Sequence, residues 1–261
     1  MIETVTIIGG RSRSGKPEPV ECVEFKMGDI ISIVGQTGSG KTTLINDLEL
    51  FANGNTQTGR QILINGIHPP SIYNDDPASN PIALITQHTT FLSDLPVGDF
   101  LTAHAKIRGT SQAHVSILVE ETLAFANQLT GEPVSPSSRM TELSGGQTRS
   151  LLIADATVIC HTPIVLLDEV ENAGIDRTRA LELLRRHRKI FIFVTHDPRI
   201  ALMSDYRIIM EGGCMTRVLQ TDETERTFSL KVGRLDAIIG RLRDKIRLGH
   251  RLSGNELEGV I

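Results

Sequence analysis

The sequence predicts an α/β domain. It has a mostly parallel core sheet, an antiparallel β-region near its start, and a helical subdomain at about residues 88–160. Three observations carry this. First, Ile164-Val165-Leu166-Leu167 and Ile190-Phe191-Ile192-Phe193-Val194 are continuous apolar runs, as parallel strands covered on both faces require. Second, Ile30-Ile31-Ser32-Ile33-Val34 leads through a glycine-rich loop into a helix-forming stretch at 44–51. Third, residues 97–129 carry helical spacing, with Val97, Phe100, Leu101 and His104 followed by Val115, Leu118, Val119 and Leu123. The 261 residues, 39% hydrophobic and 22% charged, suit a single domain spanning 1–261 with a substantial core.

The remaining elements follow in order. Residues 4–8 and 20–25 alternate as strands and flank a loop rich in Gly, Ser, Arg and Pro at 9–19. Residues 60–64 read as a strand closed by the turn Asn65-Gly66. The polar stretch 69–81 is an exposed loop, and 83–85 a short strand. Residues 133–138 interrupt the helical region before a third helix from near Gly146 to Ile159. A crossover helix occupies 181–188. A hairpin at 206–210 and 215–219 turns at Gly212-Gly213. Residues 231–261 read as an amphipathic helix, 235–248, and a tail. Leu235, Ile238, Ile239, Leu242 and Ile246 share a face, and seven Lys/Arg lie between Lys231 and Arg251. That helix either packs on its own domain with a basic face in solvent, or meets a partner or membrane surface.

Composition excludes several classes. A net charge of −4 gives no reason to expect nucleic-acid binding. No apolar stretch approaches the ~20 residues that span a bilayer. Met1-Ile2-Glu3-Thr4-Val5 lacks the basic-then-apolar order of a signal peptide. Cys22, Cys160 and Cys214 have no metal-type spacing and read as ordinary buried thiols in a reducing cytosol.

The chemistry begins at Gly35-Gln36-Thr37-Gly38-Ser39-Gly40-Lys41-Thr42-Thr43. Glycines let successive N–H groups turn toward an anion, and the following helix N-terminus adds its dipole. Lys41 can reach β- and γ-phosphates and the Thr42 hydroxyl can ligate Mg²⁺. Asp168 ends an apolar strand, where a carboxylate can hold Mg²⁺, and Glu169 can orient or deprotonate the attacking water. Ser144, Gly145, Gly146 and Gln147, within Leu143-Ser144-Gly145-Gly146-Gln147, form a second small anion cradle. One triphosphate needs one cradle, so the second serves the nucleotide of another subunit.

Here the chain resembles the ATP-binding cassette (ABC) ATPase family, whose signature reads Leu-Ser-Gly-Gly-Gln. The resemblance covers nearly the whole chain in order and implies the phosphate-loop NTPase fold. Gln87 resembles the glutamine that senses Mg²⁺ and γ-phosphate. His196, in Val194-Thr195-His196-Asp197, resembles the switch histidine. By the same resemblance Lys41, Thr42 and Thr43 bind phosphates and Mg²⁺, Asp168 assists the metal and Glu169 is the catalytic base. Ser144, Gly146 and Gln147 act in trans, and Asp176 has a subunit-contact role. The implied cofactors are ATP and Mg²⁺. The implied partners are a second ABC ATPase, as homodimer or heterodimer, and a membrane permease on separate chains, with no nucleic acid. The expected location is cytoplasmic, at the inner face of the cell membrane. The alternative is a soluble ABC ATPase of cofactor or iron–sulfur assembly. A DNA-repair ATPase would need a long coiled coil or zinc insertion between the ATPase halves, and the 261-residue length and the lack of heptads or cysteine pairs speak against one.

Three departures from the family pattern stand out. Residues 168–176 run Asp-Glu-Val-Glu-Asn-Ala-Gly-Ile-Asp, one residue longer than usual. No aromatic precedes Phe25 to stack on adenine, so Arg11 or Arg13 stacks instead or the base is held loosely. Thr148-Arg149 replaces the commoner pair after the signature. Residues 91–100 are similar to the family region that receives a coupling helix, and their apolar side chains equally suit packing within the helical subdomain.

Overall fold

The computed structural model describes residues 1–169 and 177–252. Strands β1 (Thr4–Ile8), β2 (Cys22–Lys26) and β4 (Gln61–Ile64) form an antiparallel sheet in the order β2-β1-β4. The core sheet has six strands: β3 (Ile30–Val34), β5 (Ile82–Ile85), β6 (Ile164–Asp168), β7 (Ile190–Val194), β8 (Tyr206–Glu211) and β9 (Cys214–Gln220). Their order is β5-β6-β7-β3-β8-β9, parallel throughout except for the β8–β9 hairpin. The apolar runs of β3, β6 and β7 occupy the middle of this sheet. Their period-2 alternation divides the core in two. Val165, Leu167, Phe191 and Phe193 face the helical layer, whereas Ile164, Leu166, Ile190 and Ile192 face the small sheet and the helix after the glycine loop.

That helix, α1, spans Lys41–Glu49. The others are α2 (Ile72–Asp75), α3 (Val97–Ile107), α4 (Gln112–Leu129), α5 (Gly145–Val158), α6 (Arg177–Arg186), α7 (Pro198–Met203) and α8 (Glu223–Arg247). Asn65 and Gly66 both adopt positive φ, 51° and 75°, so the turn after β4 is of the primed hairpin kind. The polar stretch 69–81 is exposed as expected but holds the one-turn helix α2.

Two expectations are corrected. The last helix begins at Glu223, well before residue 235. Asp222 caps it by accepting from the Glu225 N–H at 2.8 Å, and Glu223 and Glu225 sit at the favourable positive end of the dipole. Of the three thiols, only Cys214 is fully buried. Cys160 is half-buried and Cys22 exposed, because it starts β2 at the edge of the small sheet.

Candidate phosphate-binding site

The glycine loop leaves β3 at Val34 and closes on α1. Gly40 caps α1 with φ 99°, a conformation that costs a non-glycine residue strain. A Cβ there would also lie 2.9 Å from the Gly213 Cα, and one at Gly35 would lie 2.4 Å from the Met210 carbonyl oxygen. The loop is thus pressed against the β8–β9 hairpin. The Gly213 N–H donates to the Ser39 carbonyl at 2.9 Å and fixes that contact. On the other side the Arg13 guanidinium donates to the Gly38 carbonyl at 3.0 Å. Gln36, Thr37, Gly38, Thr42 and Thr43 are exposed, whereas Ser39 and Lys41 are buried. Lys41 Nζ donates to the carbonyls of Gly35, at 2.9 Å, and Gln36, at 3.2 Å. Ser39 Oγ is buried with no protein partner. A glycine cradle, a buried ammonium and an orphaned hydroxyl together fit a phosphate chain.

Asp168 ends β6 opposite Val194 of β7. Glu169, next along, has φ 51°, unusual for a side-chain-bearing residue, and its N–H donates to the Val194 carbonyl at 3.0 Å. The sheet register therefore delivers Glu169 beside the residues that follow β7. His196 Nε2 lies 3.8 Å from Glu169 Oε1, and both side chains are substantially exposed. Asp176 lies outside the described residues.

The signature segment opens α5. Ser144 Oγ accepts from the Gln147 N–H at 3.3 Å, and Gln147 Oε1 accepts from the Ser144 N–H at 2.9 Å, a reciprocal capping box. Gln147 Nε2 also donates to the Pro133 carbonyl at 3.0 Å. These side chains build the helix end of the signature. Gln87 follows β5 and is exposed. Arg149 joins the two: its guanidinium donates to the Gln87 carbonyl at 2.6 Å and to the Gly145 carbonyl at 3.2 Å. Arg149, which the sequence offered only as a minor departure, fastens the strap after β5 to the signature helix.

Within residues 91–100 the apolar side chains divide. Phe91 and Phe100 pack edge-on at 5.0 Å against the helical core, whereas Leu92 and Leu95 are exposed. Arg139 Nη1 holds Asp94 at 2.6 Å and fixes the base of that exposed turn.

A further group went unread in the sequence. Arg60 is fully buried and donates to Glu18, to Asp47 of α1 at 2.9 Å and to the Gly213 carbonyl at 2.9 Å. Glu18 accepts in addition from the N–H groups of Gly10, at 2.9 Å, and Met215, at 2.8 Å. This buried cluster ties the loop at 9–19, α1 and the hairpin turn together behind the phosphate loop. Only Glu18 and Arg60 inside otherwise loop-like and strand-like stretches could have signalled it.

The fold and this loop define a phosphate-loop nucleotide-binding domain. The chain belongs, within that class, to the ABC transporter family as an ATP-binding subunit. The family model described as ABC transporter matches residues 22–172. An uncharacterised ABC transporter ATP-binding protein of Methanocaldococcus jannaschii is 46% identical over 100% of this chain and 98% of its own length. The spermidine/putrescine import ATP-binding protein of Thermotoga maritima is 29% identical over 73% of this chain and 52% of its own. Solved structures share the fold. A dimeric ATP-binding cassette bound to ADP and phosphate has a TM-score of 0.64 at 21% identity, covering 84% of this chain and 99% of its own. CbiO1 of Clostridium perfringens, part of the ABC transporter complex CbiONQ, has a TM-score of 0.65 at 20% identity, covering 94% of this chain and 100% of its own. No helix of the described residues is long and apolar enough to cross a membrane.

Proposed function

We propose that this chain hydrolyses ATP with Mg²⁺ in a head-to-tail dimer and so drives a permease carried on separate chains. The reading rests on one juxtaposition: the sheet sets the acidic end of β6 and His196 side by side, with the glycine loop on the next strand over, β3. Lys41 leaves the loop carbonyls and binds β- and γ-phosphate oxygens, while the N–H groups of Gly35 to Gly40 surround them. Thr42, Gln87 and Asp168 hold Mg²⁺, which neutralises phosphate charge when bound. Thr43 lies in the first turn of α1 among the phosphate ligands. Glu169 accepts the proton of the attacking water, and His196 contacts the γ-phosphate. The signature residues, 144–147, and Asp176 act on the nucleotide of the opposing subunit. Arg13, already against Gly38, is better placed than Arg11 to flank the base. The domain reads as one unit with residues 88–160 as its helical arm, whose exposed Leu92 and Leu95 meet the permease.

The test is complementation. Lys41→Ala chains keep an intact signature, and Ser144→Arg chains keep an intact phosphate loop. Each alone should be inactive. Co-expressed, they should regain roughly a quarter of wild-type turnover, since about half the dimers are mixed and each carries one complete site. No recovery would remove the shared-site mechanism. Purification of Glu169→Gln protein with ATP should bring down a multi-span membrane protein; soluble partners alone would shift the reading to a cofactor-assembly ATPase.

A further inference from the structure

Helix α8 has two working sides. One faces its own domain: Asp236 lies 3.6 Å from Arg199 of α7, and a Cβ on Gly233 would come within 3.0 Å of the same guanidinium. The other side is about a quarter turn away, at about 100° per residue. It carries Phe228, Val232, Leu235, Ile239, Leu242 and Ile246. Phe228, Leu235, Ile239 and Ile246 are 53, 51, 45 and 59% exposed, and no residue of α8 is buried.

The spacing of this stripe, 4-3-4-3-4, repeats every seven residues. Ile238 borders this stripe, and the 3.5 period of the other six residues is that of a seam between supercoiled helices. The stripe runs for about 27 Å along the helix at about 1.5 Å per residue. Its composition also selects a partner. Val232, Ile239 and Ile246 alternate with Phe228, Leu235 and Leu242. β-Branched residues at one seam position and mainly Leu at the other favour two parallel strands. In that register Lys231 flanks the seam in solvent, while Asp236, on the opposite flank, stays with Arg199 of its own domain.

We propose that α8 pairs with α8 of a second copy of this chain as a parallel, in-register, two-stranded coiled coil that holds the dimer together without nucleotide. The quarter turn between seam and domain contact places the two bodies on opposite sides of the coil. The tether keeps the two phosphate loops and signatures at high mutual concentration between cycles. The pairing does not depend on the ATP-driven closure proposed above, and its test uses no nucleotide.

The full chain is sized by light scattering in EDTA, without ATP. Wild type and Lys41→Ala should both show twice the 28.6 kDa of one chain. Ile239→Asp, at a solvent-facing position, should run as a monomer with unchanged circular dichroism outside the coil contribution. In a Cys22→Ser background, Ile239→Cys should crosslink to itself on oxidation, and mixed Phe228→Cys and Ile246→Cys chains should not crosslink to each other. A monomeric wild type at micromolar concentration, a dimer that survives Ile239→Asp, or a 228–246 crosslink would each overturn the proposal. A monomer that floats with phosphatidylserine vesicles would instead assign the stripe to a lipid surface.

Discussion

Replacing Arg60 by Met removes the cation from the most buried charged cluster of the described residues and keeps most of its volume. Arg60 and Glu18 side chains are 0% exposed and that of Asp47 is 3%. The variant leaves two buried carboxylates without the cation they share, and it strips four donor contacts from Glu18, Asp47 and the Gly213 carbonyl. Breaking a buried ion pair by deleting one partner costs about 3–5 kcal/mol, chiefly because the abandoned charge stays desolvated. At about 2–4 °C per kcal/mol for a domain of this size, Arg60→Met should melt roughly 6–20 °C below wild type. The control is Glu18→Gln in the same background. It removes one of the uncompensated charges, so the double variant should recover part of the loss. Differential scanning fluorimetry with urea titration reads both. A loss under about 1 kcal/mol, or a double variant no better than the single, would refute the claim that the cluster is held by its central charge. The same variant should weaken ATP binding, since Asp47 and Gly213 stand directly behind the phosphate loop.

Two further outcomes follow from local geometry. Gly40→Ala puts a Cβ 2.9 Å from the Gly213 Cα on a residue with φ 99°, so it should lose ATP binding at least tenfold by fluorescence titration, about 1.4 kcal/mol or more, with the fold intact. His104 is held charged by its hydrogen bond to Asp155, at 2.8 Å, which with Cys160 lifts its pKa to about 10 from the usual 6.5. The raised folded value means that this stabilisation is complete below about pH 6.5 and fades as pH rises toward 10. His104→Gln should therefore cost about 2 kcal/mol at pH 6, the worth of a charge-assisted hydrogen bond partly open to solvent, and much less at pH 10 by urea unfolding. A pH-independent difference would contradict the pairing.

The core was legible because its signal is local. Continuous apolar strands, a glycine loop and helical spacing each announce themselves within a dozen residues, and β3, β6 and β7 lie where those runs fall. The glycine loop between β3 and α1 and the acidic end of β6 were legible in place for the same reason. The buried Arg60 cluster was not, because its members lie 42 and 13 residues apart and each is an unremarkable charge in its own segment. The role of Arg149 was hidden likewise, since its acceptor, the Gln87 carbonyl, is a backbone atom that any residue would supply. The early start of α8 escaped because Gly233, a poor helix former, interrupts the stretch between the cap at Asp222 and the apolar face from Leu235.

The press of the β8–β9 hairpin on the glycine loop has a consequence in time. The loop is made within the first forty-odd residues, but the atoms that brace it, the Met210 carbonyl and the backbone of Gly213, come some 170 residues later. On a ribosome adding about 5–20 residues each second, the glycine loop exists for roughly 8–35 s before its support does. Throughout that interval the loop lacks the hairpin against which it is pressed. The braced loop is thus a late product of synthesis, made after both the helices of residues 97–158 and the central strands have been laid down.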